Sequence, residues 1–209
     1  MRPANLILAL LLAVALAAGI WLALSVQESS EEVPAEAVTS TATVLPSAMQ
    51  LPQVSLVDQT GAAVDQSFFE GQWDVVFFGF ATCPDVCPIT LGVLTEAQRR
   101  LEQSGAGVLP RIVLVSVDPE RDTPEVLTEY MQSFGENSVA VTGEIDQLRT
   151  LTSELGIFFE KRFIDEEFYT MDHSSVVLVI DPNGQVSALF SGPHRAENFV
   201  NDLKVLTRS

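Results

Sequence analysis

The chain has 209 residues, with 28 acidic side chains against 11 lysines and arginines and a formal net charge of −17. Nucleic acid binds through clustered Lys and Arg, and the sequence contains no basic stripe, so the composition argues against a nucleic-acid-binding protein. The chain holds two cysteines and two histidines. A domain of this size buries enough apolar surface to fold without disulfide staples, which disfavours a structural disulfide.

The amino-terminal region predicts a membrane anchor. Residues 6–24 form an apolar run without a charge, long enough to cross a bilayer core of about 30 Å. Signal peptides have shorter apolar regions, so we expect an uncleaved transmembrane helix over 5–25, preceded by a cytoplasmic segment 1–4. A positive charge precedes the run and acidic residues follow it, which predicts a single-pass protein of the inner membrane with its domain on the periplasmic, outer face.

Residues 26–47 predict a flexible linker. They are rich in Glu, Ser, Thr, Ala and Pro and contain few large apolar residues, so they cannot bury enough surface to fold. One folded domain is therefore expected over 48–209.

Strands and helices alternate in the predicted domain. In chain order we expect a hairpin at 53–65, a strand at 74–80, a helix at 88–104, a strand at 111–117, a helix at 123–134, a strand at 138–142, a helix at 145–155, a weak strand at 158–163, a strand at 175–180, its hairpin partner at 185–190, and a helix at 196–206. This order predicts an α/β domain with a mixed central sheet and helices on both faces, and it fits a thioredoxin-like fold.

Both cysteines follow the first buried strand. Cys83 and Cys87 lie in the loop and first helical turn at the carboxyl end of that strand, where open α/β sheets place their chemistry. Because Cys87 is close to a helix N-terminus, we expect its pKa to be depressed. Asp85 lies between the thiols, and a role as a turn residue or helix N-terminal acid is favoured over one beside a metal.

One histidine, His173, stands before the strand at 175–180, where a loop would point its side chain toward the same sheet edge. Two thiolates and a neutral imidazole are ligands that Cu(I) and Zn²⁺ prefer. The other histidine, His194, is interpreted as a solvated loop residue.

Neighbouring residues allow further roles. Met171 would share a side of an extended segment with His173, but a partly buried side chain is favoured over a fourth, thioether ligand. Asp172 either fixes the histidine tautomer or caps the strand. Asp118 ends a strand on the same sheet edge, where a turn residue is favoured over a polar neighbour of the site. The aromatic residues of the strand at 74–80 are interpreted as core or site wall.

Three separated motifs carry a family resemblance. They are Phe-Gly-Phe-Ala-Thr-Cys-Pro-Asp-Val-Cys-Pro at 78–88, Val-Asp-Pro-Glu-Arg-Asp-Thr-Pro at 117–124, and Asp-His-Ser at 172–174 followed by Leu-Val-Ile-Asp-Pro-Asn-Gly at 178–184. Together they resemble the Sco/SenC family. The resemblance implies a membrane-anchored, thioredoxin-like copper protein that helps assemble the binuclear copper centre of cytochrome c oxidase subunit II, its expected partner. By position, Cys83, Cys87 and His173 would be the copper ligands.

Two functions fit these residues. The first is a metallochaperone, which is not an enzyme and donates copper to the oxidase subunit. The second is a thiol-disulfide oxidoreductase that uses Cys83 and Cys87 as a redox dithiol on the cysteines of a target copper site, with a thiol reductant protein as a further partner. A metal site requires His173, whereas disulfide exchange does not. A thiol peroxidase has the least support, and zinc stays an alternative to copper.

Overall fold

A mixed eight-stranded sheet organises residues 39–208, the part of the chain that the computed structural model describes. The strands in chain order are β1 (Thr43–Gln50), β2 (Leu56–Asp58), β3 (Ala63–Val64), β4 (Asp74–Gly79), β5 (Arg111–Ser116), β6 (Ser138–Thr142), β7 (Phe159–Phe163), β8 (Tyr169–His173), β9 (Val177–Ile180) and β10 (Gln185–Phe190). The order across the large sheet is β1-β10-β9-β4-β5-β6-β2-β3, and β7 and β8 form a separate two-stranded antiparallel ribbon.

Helices connect the parallel strands and cover the sheet. They are α1 (Val86–Gln103), α2 (Pro124–Met131), α3 (Ile145–Glu154) and α4 (Ala196–Leu206). The connection through α1 makes β4 and β5 a parallel pair, the connection through α2 does the same for β5 and β6, and α1 packs against α4. Within residues 39–208 no helix is long and apolar enough to span a bilayer. The predicted segments 1–4 and 5–25 lie outside the described residues.

The centre of the sheet is buried on both faces. Every residue of β4 and of β9 is buried. Such near-continuous apolar strands occur where both faces of a sheet are covered, whereas a half-exposed strand alternates apolar and polar residues. Asp74, the polar exception at the start of β4, pairs with Arg111 of β5 at 2.8 Å. The predicted mixed α/β architecture is therefore confirmed.

The predicted linker boundary at residue 47 is wrong. Residues 43–50 form β1, an edge strand paired antiparallel with β10. Just before β1, the carboxylate of Asp202 in α4 accepts the backbone N–H groups of Ser40, Thr41 and Ala42 at 2.7–2.8 Å. Most of β1 is exposed, so its composition resembles that of a linker. Asp202, which accepts the hydrogen bonds of the residues before β1, lies 160 positions beyond Ala42. The rest of the predicted linker, residues 26–38, lies outside the described residues.

The other predicted elements match closely. The hairpin of β2 and β3 and the hairpin of β9 and β10 both form. Thr123 caps α2 as its position predicts, because its hydroxyl accepts the N–H of Val126 at 3.4 Å. The helix after the cysteine loop begins at Val86, two residues before the predicted start at 88. Residues 169–173 differ most, since they form β8 and not a loop before the next strand.

Replacing Asp202 tests the anchoring of the residues before β1. Its side chain accepts five hydrogen bonds from Ser40, Thr41 and Ala42, and Asp202→Ala leaves the buried N–H of Ala42 without an acceptor. We expect the free energy of unfolding in urea to fall by about 2 kcal/mol. Asn201→Ala, at an exposed position of the same helix, is the control and should change it by less than about 0.5 kcal/mol.

The difference in unfolding free energy between wild type and Asp202→Ala depends on pH. Burial alone raises the pKa of Asp202, but the hydrogen bonds from Ser40, Ala42 and Thr41 outweigh burial and hold the pKa below its ordinary 3.8. A carboxyl with a depressed folded pKa contributes stability above its unfolded pKa and loses it as the pH falls through the folded pKa. The difference between wild type and Asp202→Ala should therefore be full above pH 3.8 and shrink below it. A difference that grows in acid would contradict the anchoring.

Candidate metal centre

The two cysteines lie where β4 gives way to α1. Cys83 is in the loop and Cys87 in the first turn of the helix, and their exposed fractions are 8% and 0%. Both are free thiols. The backbone N–H of Cys87 donates to Sγ of Cys83 at 3.4 Å. The start of the helix therefore holds the first sulfur beside the second.

Gly79, the last residue of β4, makes room for the Cys87 sulfur. A Cβ atom at this position would lie 2.8 Å from Cys87 Sγ and 2.9 Å from Cε1 of Phe77. Carbon and sulfur atoms that are not bonded do not approach so closely in a relaxed structure. The sulfur thus packs directly on the backbone of the central strand.

His173 reaches the thiols from the end of β8, and not from a loop as predicted. In the ribbon, Phe159 of β7 pairs with His173, and Phe163 pairs with Tyr169. Nε2 of His173 lies 3.4 Å from Sγ of Cys87. The ligand atoms of Cys83, Cys87 and His173 all lie within 4.8 Å of one another. The structure therefore brings together the three residues that the sequence singled out.

The imidazole presents its lone pair to the thiols. Nδ1 of His173 lies 3.0 Å from the carbonyl oxygen of Ser174. A carbonyl only accepts hydrogen bonds, so Nδ1 carries the proton and Nε2 is free to bind a metal. Asp172, one candidate for this orienting role, instead pairs with Arg162 at 2.8 Å on the exposed side of the ribbon. The Ser174 carbonyl fixes the tautomer.

Burial controls the ionisation of Cys87. It raises the pKa of this thiol, and the hydrogen bond with Cys83 acts in the same direction, as does the negative charge of Asp122. The depressed pKa predicted from the helix N-terminus is wrong, because the loss of hydration around a buried thiolate outweighs the helix dipole.

Burial also keeps His173 neutral. It lowers the pKa of the imidazole below its ordinary 6.5, although the Ser174 carbonyl opposes this shift. The rings of Phe77 and Phe80 pack edge-on to the imidazole, with centroids 5.7 and 5.9 Å away. These two aromatic residues form the site wall, as the sequence suggested. A neutral imidazole and two thiols are soft donors without a charge of their own.

Arg121 joins the ribbon to the loop that follows β5. Its guanidinium bonds the carboxylate of Asp118 at 2.5 Å and the backbone oxygen of Tyr169 at 3.0 Å. It also lies 3.8 Å from the centre of the Tyr169 ring, and the Tyr169 hydroxyl donates to Asp118 at 2.9 Å. Asp118 is therefore both the turn residue that was favoured and a polar neighbour of the ribbon that carries His173. Arg121 was not singled out from the sequence. It lies in the motif at 117–124, which was the signal that could have identified it.

Asp122 ties the same loop to the cysteine loop. Its carboxylate oxygen accepts the hydroxyl of Ser116 at 2.6 Å and the backbone N–H of Ala81 at 2.8 Å. Ala81 lies two residues before Cys83. Burial raises the pKa of Asp122, which these hydrogen bonds oppose. Asp122 and Ser116, the last residue of β5, therefore hold the backbone that leads to Cys83.

The remaining predicted residues lie around the site. Met171 is buried and lies on the same side of β8 as His173, which matches its favoured interpretation as a packed side chain. Asp85 occupies the N-cap position of α1 and is exposed, with no hydrogen bond from its side chain to the helix. His194 is half-buried and not fully solvated, with Nε2 2.6 Å from the carbonyl oxygen of Ser175.

Together the fold and the site define a thioredoxin-like α/β domain with a buried cluster of two thiols and one imidazole. Such a donor set suits a soft metal ion. The chain belongs to the SCO1/SenC family, whose sequence profile matches residues 46–208.

Curated relatives place the chain among SCO proteins. It is 36% identical over 132 residues to an SCO2-like protein of Rickettsia prowazekii, an alignment that covers 62% of this chain and 63% of that protein. It is 30% identical over 151 residues to a mitochondrial SCO2 homolog of Bos taurus, with 72% of this chain and 57% of that protein covered. The chain therefore spans less than two thirds of the length of these relatives.

Solved structures share the fold. The structure of Arabidopsis thaliana ScoI with copper bound has a TM-score of 0.72 and 26% identity, with 76% of this chain and 99% of that chain covered. The structure of Bradyrhizobium japonicum ScoI with copper bound has a TM-score of 0.66 and 29% identity, with 74% and 98% covered. These similarities confirm the predicted thioredoxin-like fold class.

Gly79→Ala tests the packing of the Cys87 sulfur on β4. The new methyl group must displace either this sulfur or the Phe77 ring, so we expect Cu(I) affinity to fall about tenfold or more, measured against a competing chelator. Gly92→Ala is the control: it lies in α1 with nothing within 4 Å of its added Cβ, and it should leave the affinity unchanged. Equal affinities for the two variants would refute the close contact at Gly79.

Arg121→Gln tests whether the Arg121 contacts position His173. We expect Cu(I) affinity to fall about tenfold, the range seen for residues that orient a metal ligand, and the NMR signals of the His173 ring to shift in the metal-free protein. Arg121→Lys keeps the charge but loses the planar fork, so it should not restore either property. Arg162→Gln removes an exposed ion pair on the same ribbon and should have little effect.

Proposed function

We propose that this chain binds copper through Cys83, Cys87 and His173 and delivers it to the binuclear copper centre of cytochrome c oxidase subunit II during assembly. The observation that carries the proposal is the cluster of three soft donors within 4.8 Å, with Nε2 of the histidine turned toward the thiols. Membership in the SCO1/SenC family supports copper over zinc, as do the copper-bound structures of two relatives.

Copper is the cargo in this proposal, so the site must release it. Two thiolates and one imidazole give Cu(I) three ligands and leave a side open to an incoming donor. Cys83 is the more exposed of the two thiols, so an acceptor ligand approaches on its side. Transfer is a ligand exchange in which each Cu–S or Cu–N bond that breaks is replaced by a bond to the acceptor, and Cu(I) keeps its valence. Each acceptor thiol releases a proton as it binds, and each freed donor thiolate takes one up through the solvent.

A thiol-disulfide oxidoreductase is the second candidate, favoured by the proximity of two free thiols. In that reaction Cys83 and Cys87 would lose two electrons and two protons to a target disulfide and would need a thiol reductant protein to restore them. Full burial and a raised pKa make Cys87 a poor nucleophile. The orientation of His173 has no purpose in this reaction, which favours the metallochaperone.

The location of the protein is part of the proposal. The apolar run at 6–24 and the charges on either side of it support a membrane anchor with the copper site on the outer face. In this proposal the copper is donated on that outer face.

The deciding experiment titrates the reduced full chain with Cu(I) against a competing chelator, without oxygen. We expect one tightly held ion, and a loss of about 100-fold or more in affinity for His173→Ala and Cys83→Ser, because ligand removal costs more than the loss of a residue that only orients a ligand. His194→Ala, which removes the other histidine of the chain, is the matched control and should bind as wild type. Tight binding that survives His173→Ala would leave the dithiol oxidoreductase as the better account.

A further inference from the structure

The free end of the β7–β8 ribbon exposes large apolar side chains. Residues 163–168, here called the ribbon tip, include Phe163, Ile164 and Phe168, with exposed fractions of 67%, 65% and 64%. Single exposed apolar residues are ordinary, but a cluster of three in one turn is a mark of a surface that binds something.

Hydrogen bonds give the ribbon tip a defined shape. The backbone N–H of Ile164 donates to the carbonyl of Phe168 at 2.8 Å. The carboxylate of Asp165 accepts the N–H groups of Glu167 and Phe168, each at 2.8 Å. The turn is therefore closed by its own contacts. Binding would cost little further conformational entropy, because the backbone that carries the apolar side chains is already ordered.

The ribbon tip is continuous with the metal centre. Side chains at alternate positions of a strand share a face, so Tyr169 and Met171 lie on the same side of β8 as His173. Phe163 pairs with Tyr169 across the ribbon, with ring centroids 6.1 Å apart. His173 lies four positions beyond Tyr169, a distance of about 13 Å along a strand. A protein domain is wider than this distance, so a domain bound at the tip can also reach the metal centre.

The first turn of α1 contributes apolar surface on the cysteine side of the site. Val86 and Ile89 are 40% and 60% exposed and lie three residues apart, which places them on one face of the helix. The thiols and the imidazole thus lie between two exposed apolar regions, one on the helix and one on the ribbon.

Charge indicates what kind of molecule binds there. Asp165, Glu166 and Glu167 are exposed in the ribbon tip, and within residues 39–208 no ion pair includes them. Three carboxylates repel an anionic lipid surface, and they also repel the same tip on a second copy of this chain, whose net charge is −17. They attract a protein surface with basic side chains.

We propose that the ribbon tip is the docking element for the copper acceptor, a protein surface with an apolar pocket bordered by Lys or Arg side chains. The inference rests on the proposed function, because it states where the acceptor binds. Apolar contacts supply the affinity, and the carboxylates steer the encounter and set its orientation. An acceptor docked on the ribbon tip lies on the element that carries His173.

The test measures copper transfer from the full chain, loaded with Cu(I), to the purified copper-binding domain of cytochrome c oxidase subunit II. Ile164→Ser/Phe168→Ser removes apolar contacts at the tip and leaves Phe163, which touches Tyr169, in place. We expect transfer at low acceptor concentration to slow about 30-fold or more, as for the loss of central interface residues. Cu(I) affinity of the donor should change less than about twofold, which also shows that the variant is folded.

Two controls separate docking from general effects. Val44→Ser/Ile145→Ser replaces residues that are 51% and 38% exposed outside the tip, and it should transfer copper like wild type. Glu166→Lys/Glu167→Lys, which leaves Asp165 and its turn contacts in place, should slow transfer as well, and it should reverse the effect of added salt, which slows the wild-type reaction by screening the attraction.

Each result has one meaning. Wild-type transfer rates for the tip variant overturn the docking proposal and leave the proposed function intact. A wild-type chain that holds Cu(I) tightly but transfers none to the subunit II domain overturns the proposed acceptor, and the docking proposal falls with it. A dimer of the wild-type chain that the tip variant cannot form identifies a second copy as the occupant and also overturns the proposal.

Discussion

Strand β4 is the constraint on which the rest of the structure depends. It lies at the middle of the large sheet, pairs with β5 in parallel and with β9 antiparallel, and is buried along its whole length. Its last residue, Gly79, supports the Cys87 sulfur, and the loop that follows carries Cys83. Because β5 and β9 are bound to β4 by backbone ladders, the segments attached to them arrive at the same edge. The metal centre is a consequence of this pairing.

Burial makes the site suitable for one kind of metal chemistry. Cys87 and His173 are both held in the neutral form by loss of hydration. A soft monovalent cation lets the thiols ionise where water does not stabilise a thiolate, so the metal replaces the missing hydration. A disulfide between Cys83 and Cys87 would remove both sulfur donors at once. Metal binding therefore requires the reduced dithiol. The same two thiols either bind the metal or form the disulfide, but not both.

The three residues of the candidate metal centre could be singled out from the sequence, but their surroundings could not. Periodicity and turn residues identify nearly every strand and helix because those signals are local, and the three donors stand out because few residues in the chain bind soft metals. The ionisation of Cys87 was predicted in the wrong direction, because a helix N-terminus is visible in a sequence and the depth of burial is not. The strand β1 was missed for a similar reason: Asp202, which anchors the residues before it, lies 160 positions beyond Ala42.

The three donors of the candidate site are held by different kinds of contact. The two cysteines are fixed by the backbone of β4 and α1, whereas His173 belongs to a two-stranded ribbon outside the main sheet. Side-chain contacts of Arg121 and Asp118 with Tyr169 hold that ribbon in place. These contacts can rearrange without breaking a strand ladder of the main sheet, although Phe159 and Met171 of the ribbon pack in the core. Tyr169 and His173 belong to the same strand, whereas Cys83 and Cys87 are attached to β4 and α1, so the position of the histidine relative to the thiols depends on how the ribbon packs.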